Sequence, residues 1–73
     1  MSASQKHRHL LGEAIRAERK KASFSQEKLA ERADLSTVFI SRIERAKESP
    51  SLDSLVKIAR ALGVRVRDLV EGI

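Results

Sequence analysis

Residues 25–45 read Ser25-Gln26-Glu27-Lys28-Leu29-Ala30-Glu31-Arg32-Ala33-Asp34-Leu35-Ser36-Thr37-Val38-Phe39-Ile40-Ser41-Arg42-Ile43-Glu44-Arg45, and two serines in this stretch decide the fold. Ser25 and Ser36 each stand before a polar–apolar helical pattern, with an apolar residue four positions on, Leu29 and Ile40, as N-caps do. The residue before each serine is apolar too, so Phe24 with Leu29 and Leu35 with Ile40 form hydrophobic staples that fix the angle of chain entry. The pattern predicts helices over 26–33 and 37–46. Only Asp34, Leu35 and Ser36 lie between them, too short a connection for two helices to pack flat but suited to a steep helix-turn-helix crossing. Ala30 is small enough to let the second helix approach, and Leu35 can plug the gap. Hairpins with three-residue turns also occur in purely structural bundles, so the spacing alone leaves both readings open.

Outward from this stretch the same logic holds. Ser51 caps a helix over 52–62, with Leu55 four positions on and Pro50 where the staple residue stood before. Leu52, Leu55, Ile58, Ala59 and Leu62 follow the helical period, Asp53, Lys57 and Arg60 fall outside it, and Gly63 ends the helix. A long helix over 5–22 offers Leu11 and Ile15 inward, and a short one over 66–70 closes the chain. Leu29, Ala30, Ala33, Ile40 and Ile43 complete the expected core. Alternating strand patterns are missing and the composition is rich in Ala, Leu, Glu, Lys and Arg, so the chain is expected to be all-α, a compact five-helix bundle. One domain spans 1–73, with 1–4 expected to be disordered.

Composition narrows the function. Seventy-three residues are expected to form one domain rather than a multi-domain enzyme, and a chain this short buries only about 60% of the surface its unfolded form exposes. Cysteine is absent, which excludes disulfides and thiol chemistry, and His7 and His9 alone do not make a zinc site, so neither metal nor cofactor is expected. No run of about 18 apolar residues and no signal-peptide core are present, so a soluble cytoplasmic protein without membrane contact is expected. Fifteen basic residues against ten acidic give a net charge of +5. Residues 1–47 hold 11 basic and 6 acidic side chains, whereas residues 48–73 hold 4 of each, so the first two-thirds carries the whole surplus. Such a distribution fits a polyanion partner, although basic small proteins can also be merely soluble.

The stretch from Ser25 to Ser36, followed by Ile40-Ser41-Arg42-Ile43-Glu44-Arg45, resembles the Cro and phage-repressor, or XRE-like, class of helix-turn-helix DNA-binding proteins. Leu11-Gly12-Glu13-Ala14-Ile15-Arg16 and Arg19 resemble the first helix of that family, and Pro50-Ser51 through Ala61-Leu62-Gly63-Val64 its fourth. The resemblance covers residues 11–69 and implies the lambda-repressor-like fold. Two positions depart from it: Asp34 stands where the family usually has glycine in the turn, and Ala46 where the third helix usually ends in glycine.

The resemblance implies that helix 37–46 lies in the major groove of double-stranded DNA. Thr37, Val38, Ser41 and Arg42 would then read bases, Arg42 by a bidentate contact to guanine and Val38 by meeting a thymine methyl. Ser25, Gln26, Lys28, Ser36, Arg45 and Lys47 would hold phosphates, Gln26 at a helix N-terminus where free N–H groups favour anions. The plainer readings are solvated surface for the arginines and lysines and a first-turn polar residue for Gln26. The family likeness also pairs Arg19 with Glu44 in a partly buried bridge, where two exposed charges would contribute almost nothing. Phe39 is expected to be structural. Lys6, His7, Arg8 and His9 form a basic stretch, with a minor-groove arm as the alternative.

Val64, Val66, Leu69, Val70 and Ile73 are more apolar residues than one short helix needs for docking. Residues 64–73 are therefore expected to form a homodimer interface, against the alternative of a frayed monomeric tail. The expected function is a sequence-specific transcriptional regulator that binds a pseudo-palindromic operator, a phage Cro-like or restriction–modification controller type of protein. A second reading is an antitoxin or other interaction module that binds a protein partner such as a toxin and uses DNA binding for autoregulation. An enzyme has little support, because so small a bundle offers no pocket for a buried catalytic cluster.

Overall fold

The computed structural model describes residues 3–73; Met1 and Ser2, part of the stretch expected to be disordered, lie outside the described residues. Five helices follow one another: α1 (Ala3–Lys21), α2 (Gln26–Ala33), α3 (Thr37–Glu44), α4 (Leu52–Leu62) and α5 (Val66–Val70). Among the described residues there is no strand. α1 thus begins two residues before the expected start, and α3 ends two residues before the expected Ala46.

The serine caps form as their spacing requires. Ser25, Ser36 and Ser51 accept hydrogen bonds through Oγ from the backbone N–H of Lys28, Phe39 and Ser54, at 3.0, 3.1 and 3.1 Å. Each cap satisfies one of the N–H groups that a helix start leaves without an intrahelical partner, worth about 1 kcal/mol. Phe24 is half-buried against the core and carries the Arg32 guanidinium 5.7 Å from its ring centre.

The four longer helices all close in one way. Ser23, Asp34, Ala46 and Gly63 take left-handed backbone conformations, with φ of 60, 56, 61 and 73°. At each, the next residue's N–H reaches back five positions: Phe24 to Arg19, Leu35 to Ala30, Lys47 to Arg42 and Val64 to Ala59. These are Schellman closures, in which the chain turns sharply off the helix axis. Only one of the four uses glycine. Asp34 tolerates the conformation at modest cost, whereas the Cβ of Ala46 opposes it by roughly 1 kcal/mol or more. The early end of α3 follows, because a left-handed residue cannot continue a right-handed helix. Ala46→Gly is accordingly expected to stabilise the protein by about 1 kcal/mol, raising its thermal midpoint by roughly 4–8 °C. Gly63→Ala should lower the midpoint through backbone strain alone, since an added Cβ there meets nothing within 4 Å. Calorimetry of both variants tests the pair, and no rise for Ala46→Gly would show that the closure is unstrained.

The core lies where the helices converge. Leu11 and Ile15 of α1, Leu29, Ala30 and Ala33 of α2, Ile40 and Ile43 of α3, Leu55, Ile58 and Ala59 of α4 and Leu69 of α5 are buried together. α2 packs on α3 and α4, and α1 packs on α3 and α5. Leu52 corrects the expected pattern, for it is 69% exposed. It is the first residue of α4, and side chains of a helix tilt toward its N-terminus, so Leu52 points back past the end of the packed surface.

Gly12 has a role that composition does not show. A Cβ built there would stand 2.6 Å from the carbonyl oxygen of Ile43 and 2.8 Å from that of Glu44. The backbones of α1 and α3 therefore touch, and only glycine permits it.

Candidate nucleic-acid interface

The crossing of α2 and α3 leaves one face of α3 uncovered. Ile40 and Ile43 turn into the core, while Val38, Arg42 and Arg45 are exposed and Thr37 and Ser41 half-exposed. Val38 keeps 67% of its surface accessible on this face, between the half-exposed Thr37 and Ser41. Phe39, on the flank, packs against the core instead.

Two arginines on this face are already engaged within the chain. Arg45 Nε donates to Ser41 Oγ at 3.2 Å, and Arg42 Nε donates to Glu48 Oε1 at 3.1 Å. Glu48 lies six residues beyond Arg42 and is no helical neighbour, so helical spacing does not place it on this face. The signal was Ala46 in a glycine position: a Schellman closure there folds the chain back alongside α3.

Beneath the face lies a network that fixes α3. Arg19 of α1 donates from Nε to Glu44 Oε2 at 2.7 Å and from Nη2 to Glu44 Oε1 at 3.0 Å, a bidentate pair. Its Nη1 donates to the carbonyl of Phe24 at 2.9 Å, and Gln26 Nε2 of α2 donates to Glu44 Oε1 at 3.1 Å. The Glu44 side chain keeps only 3% of its exposure and that of Arg19 12%, so this is a desolvated pair rather than a surface one. Hydrogen bonding to the Glu44 carboxylate raises the Arg19 pKa, partly offset by burial and aided by the charges of Glu44 and Glu27. The stabilisation linked to that shift is complete below the ordinary arginine pKa and is lost only as pH rises through the raised one. Arg19 therefore stays charged throughout the neutral and moderately alkaline range. Gln26 is thus tied inward through its amide nitrogen.

Ser25, Lys28, Ser36 and Lys47 are exposed around the α2 and α3 starts and the α3 end; Lys28 also pairs with Glu31 at 3.3 Å. Residues 5–9 belong to α1 rather than to an extended arm, with Arg8 Nε bonded to Ser49 Oγ at 3.1 Å and His9 Nε2 3.2 Å from Glu13. The minor-groove arm is therefore corrected to a helical start. Of the apolar C-terminal residues, Val64, Val66 and Val70 are half-buried and Ile73 is 49% exposed. Leu69, expected at an interface between chains, is instead 1% exposed, because α5 uses it to dock on its own core. Among the described residues no helix is long and apolar enough to cross a membrane.

Two short helices capped at their starts and joined by Asp34, Leu35 and Ser36, the second presenting an exposed polar and aliphatic face, define a helix-turn-helix DNA-binding module. Comparison with known proteins agrees: residues 15–69 match the HTH_3 helix-turn-helix family, and the chain belongs to it, a family of DNA-binding transcriptional regulators rather than enzymes. The control protein C.BamHI of Bacillus amyloliquefaciens is 46% identical over 65 residues, covering 88% of this chain and 80% of that protein. The restriction–modification controller protein C.AhdI of Aeromonas hydrophila superposes with a TM-score of 0.83 at 31% identity, over 85% of this chain and 94% of that one. The P22 c2 repressor, solved in complex with a synthetic operator, superposes with a TM-score of 0.81 at 36% identity, over 88% and 97%. These relatives give no support to a toxin partner.

Proposed function

We propose that this chain is a sequence-specific transcriptional regulator of the controller type, binding a pseudo-palindromic operator as a homodimer with α3 in the major groove. The observation that carries the reading is the exposed face of α3, where Val38 stands uncovered beside Thr37, Ser41 and Arg42 on a helix anchored by a desolvated ion pair. Arg42 forks to guanine, Val38 meets a thymine methyl, and Thr37 and Ser41 donate or accept at base edges. Ser25, Gln26, Lys28, Ser36, Arg45 and Lys47 hold the phosphates on either side, which sets register without reading sequence.

The single recognition helix supports the dimer. Recognition helices in twofold complexes sit about 34 Å apart, one turn of DNA, and this chain carries one such helix. Two copies are needed to read adjacent half-sites, and Val64, Val66, Val70 and Ile73 offer the apolar surface to join them. Sedimentation over a concentration series should show a monomer–dimer equilibrium; a monomer at every concentration removes the pseudo-palindrome from the reading.

The direct test is a fluorescence-anisotropy titration of the duplex upstream of the protein's own gene against a scrambled duplex, at several salt concentrations. A preference of about a thousandfold is expected. Equal, weak and steeply salt-dependent binding to both would mean that this duplex holds no operator for the protein.

A further inference from the structure

Arg42 is held from outside its own helix, and the contact bears on how the base reader is aimed. Its Nε donates to Glu48 Oε1 at 3.1 Å, with 51% of the arginine side chain and 39% of the glutamate side chain still accessible. Glu48 sits in the loop between α3 and α4, and that loop is fixed on both sides of it. The Lys47 N–H donates to the Arg42 carbonyl at 2.8 Å, and Ser49 Oγ accepts from Arg8 Nε of α1 at 3.1 Å. The carboxylate therefore stands at a defined place beside α3 rather than at the end of a loose segment.

A guanidinium offers two edges for a bidentate contact, one made of Nε with one Nη and one made of the two Nη groups. With Nε committed to Glu48, the Nη pair remains as the outward fork. The carboxylate also offsets the charge of an arginine that would otherwise settle on any nearby phosphate. We propose that Glu48 is a positioning residue for sequence readout, which holds Arg42 by Nε so that its Nη edge meets a base and is kept from the phosphate backbone. The inference rests on Arg42 being a base reader, as proposed above. Glu48 places a negative charge beside the exposed face of α3, so it lowers affinity for DNA in general and raises discrimination between sequences.

Two substitutions separate position from charge. Glu48→Ala removes both the carboxylate and the acceptor, whereas Glu48→Gln removes the charge but keeps an oxygen for Nε. The bond is half-exposed, so neither variant disturbs the core. Each variant, the unmodified protein and Arg42→Ala are incubated with a randomised duplex pool about 20 base pairs long, enough for two half-sites, and the bound fraction is sequenced. Anisotropy titrations on the most enriched duplex and on the unselected pool then give the selectivity. Glu48→Ala should bind the unselected pool more tightly than the unmodified protein, with a steeper salt dependence as Arg42 moves to a phosphate. Its selectivity should fall by about tenfold, the scale of one bidentate base contact. Glu48→Gln should share the tighter general binding yet keep selectivity close to that of the unmodified protein.

If both variants gain affinity for all sequences alike and their selectivity is unchanged, Glu48 acts by charge alone and the proposal is overturned. Arg42→Ala decides the underlying reading separately. If that variant selects the same sequences as the unmodified protein with the same preference, Arg42 reads no base and the premise fails.

Discussion

A Glu44→Ala protein is expected to lose about 3–5 kcal/mol of stability, the cost of leaving one member of a desolvated pair uncompensated. Arg19 would keep its charge with 12% of its side chain exposed and only the Phe24 carbonyl as acceptor, and Gln26 would lose its partner as well. A domain of this length has a total stability of roughly 4–11 kcal/mol, so the loss removes a large share of it and should shift the unfolding midpoint well down. Urea denaturation measures the effect. A loss under about 1 kcal/mol, the usual value for an exposed pair, would show that water screens the network. Removing both charges together, as in an Arg19→Met, Glu44→Leu double variant, should recover much of the lost stability, since neither group is then left alone.

Gly12→Ala is expected to be the most damaging single methyl in the chain. In an open helix this substitution stabilises by about 1 kcal/mol, because glycine is the poorer helix former. Here the new Cβ would stand 2.6 and 2.8 Å from two backbone oxygens of α3, and backbone cannot move aside as a side chain can. Overpacking of this kind, which pushes α1 from α3, typically costs about 1–3 kcal/mol, and because backbone rather than a side chain is struck the upper end applies, so the propensity gain is outweighed and the sign of the effect should reverse. The same displacement would stretch the Arg19–Glu44 bonds and tilt the exposed face of α3. DNA affinity should therefore fall even under conditions where circular dichroism shows the variant folded. A neutral or stabilising Gly12→Ala would mean that the helices separate at no cost.

These expectations mark the boundary of what the sequence could tell. Three serines at the right distance from apolar residues specified the starts of α2, α3 and α4, because capping is a local interaction between near neighbours in the chain. The ends of α2 and α4 were equally legible at Asp34 and Gly63. The end of α3 was not, since Ala46 is an ordinary helix former whose left-handed conformation is imposed by the loop it opens. Gly12 stands in the sequence as part of a family pattern, and a glycine inside a long helix asks for a packing reason that only the contact with α3 supplies. The exposure of Leu52 and the burial of Leu69 escaped for a shared reason: periodicity tells which side of a helix is apolar, not where along its length the neighbouring helix stops. At the candidate site, the outward face of α3 follows from helical spacing once Ile40 and Ile43 are taken as core. Glu48 depends on how a loop returns in space, and no periodicity encodes that.

The knot of Arg19, Gln26 and Glu44 divides the labour along α3 between residues that anchor and residues that face outward. Ile40, Ile43 and Glu44 secure the helix, and Val38 and Arg42 contribute almost nothing to the core. Exposed positions can therefore be exchanged at little cost to folding. Changes at those outward positions leave the anchoring contacts intact. Under the proposed readout, binding would be redirected by rewriting Thr37, Val38, Ser41 and Arg42, with Glu48 aiming the last of them, while Arg19, Gln26 and Glu44 stay as they are.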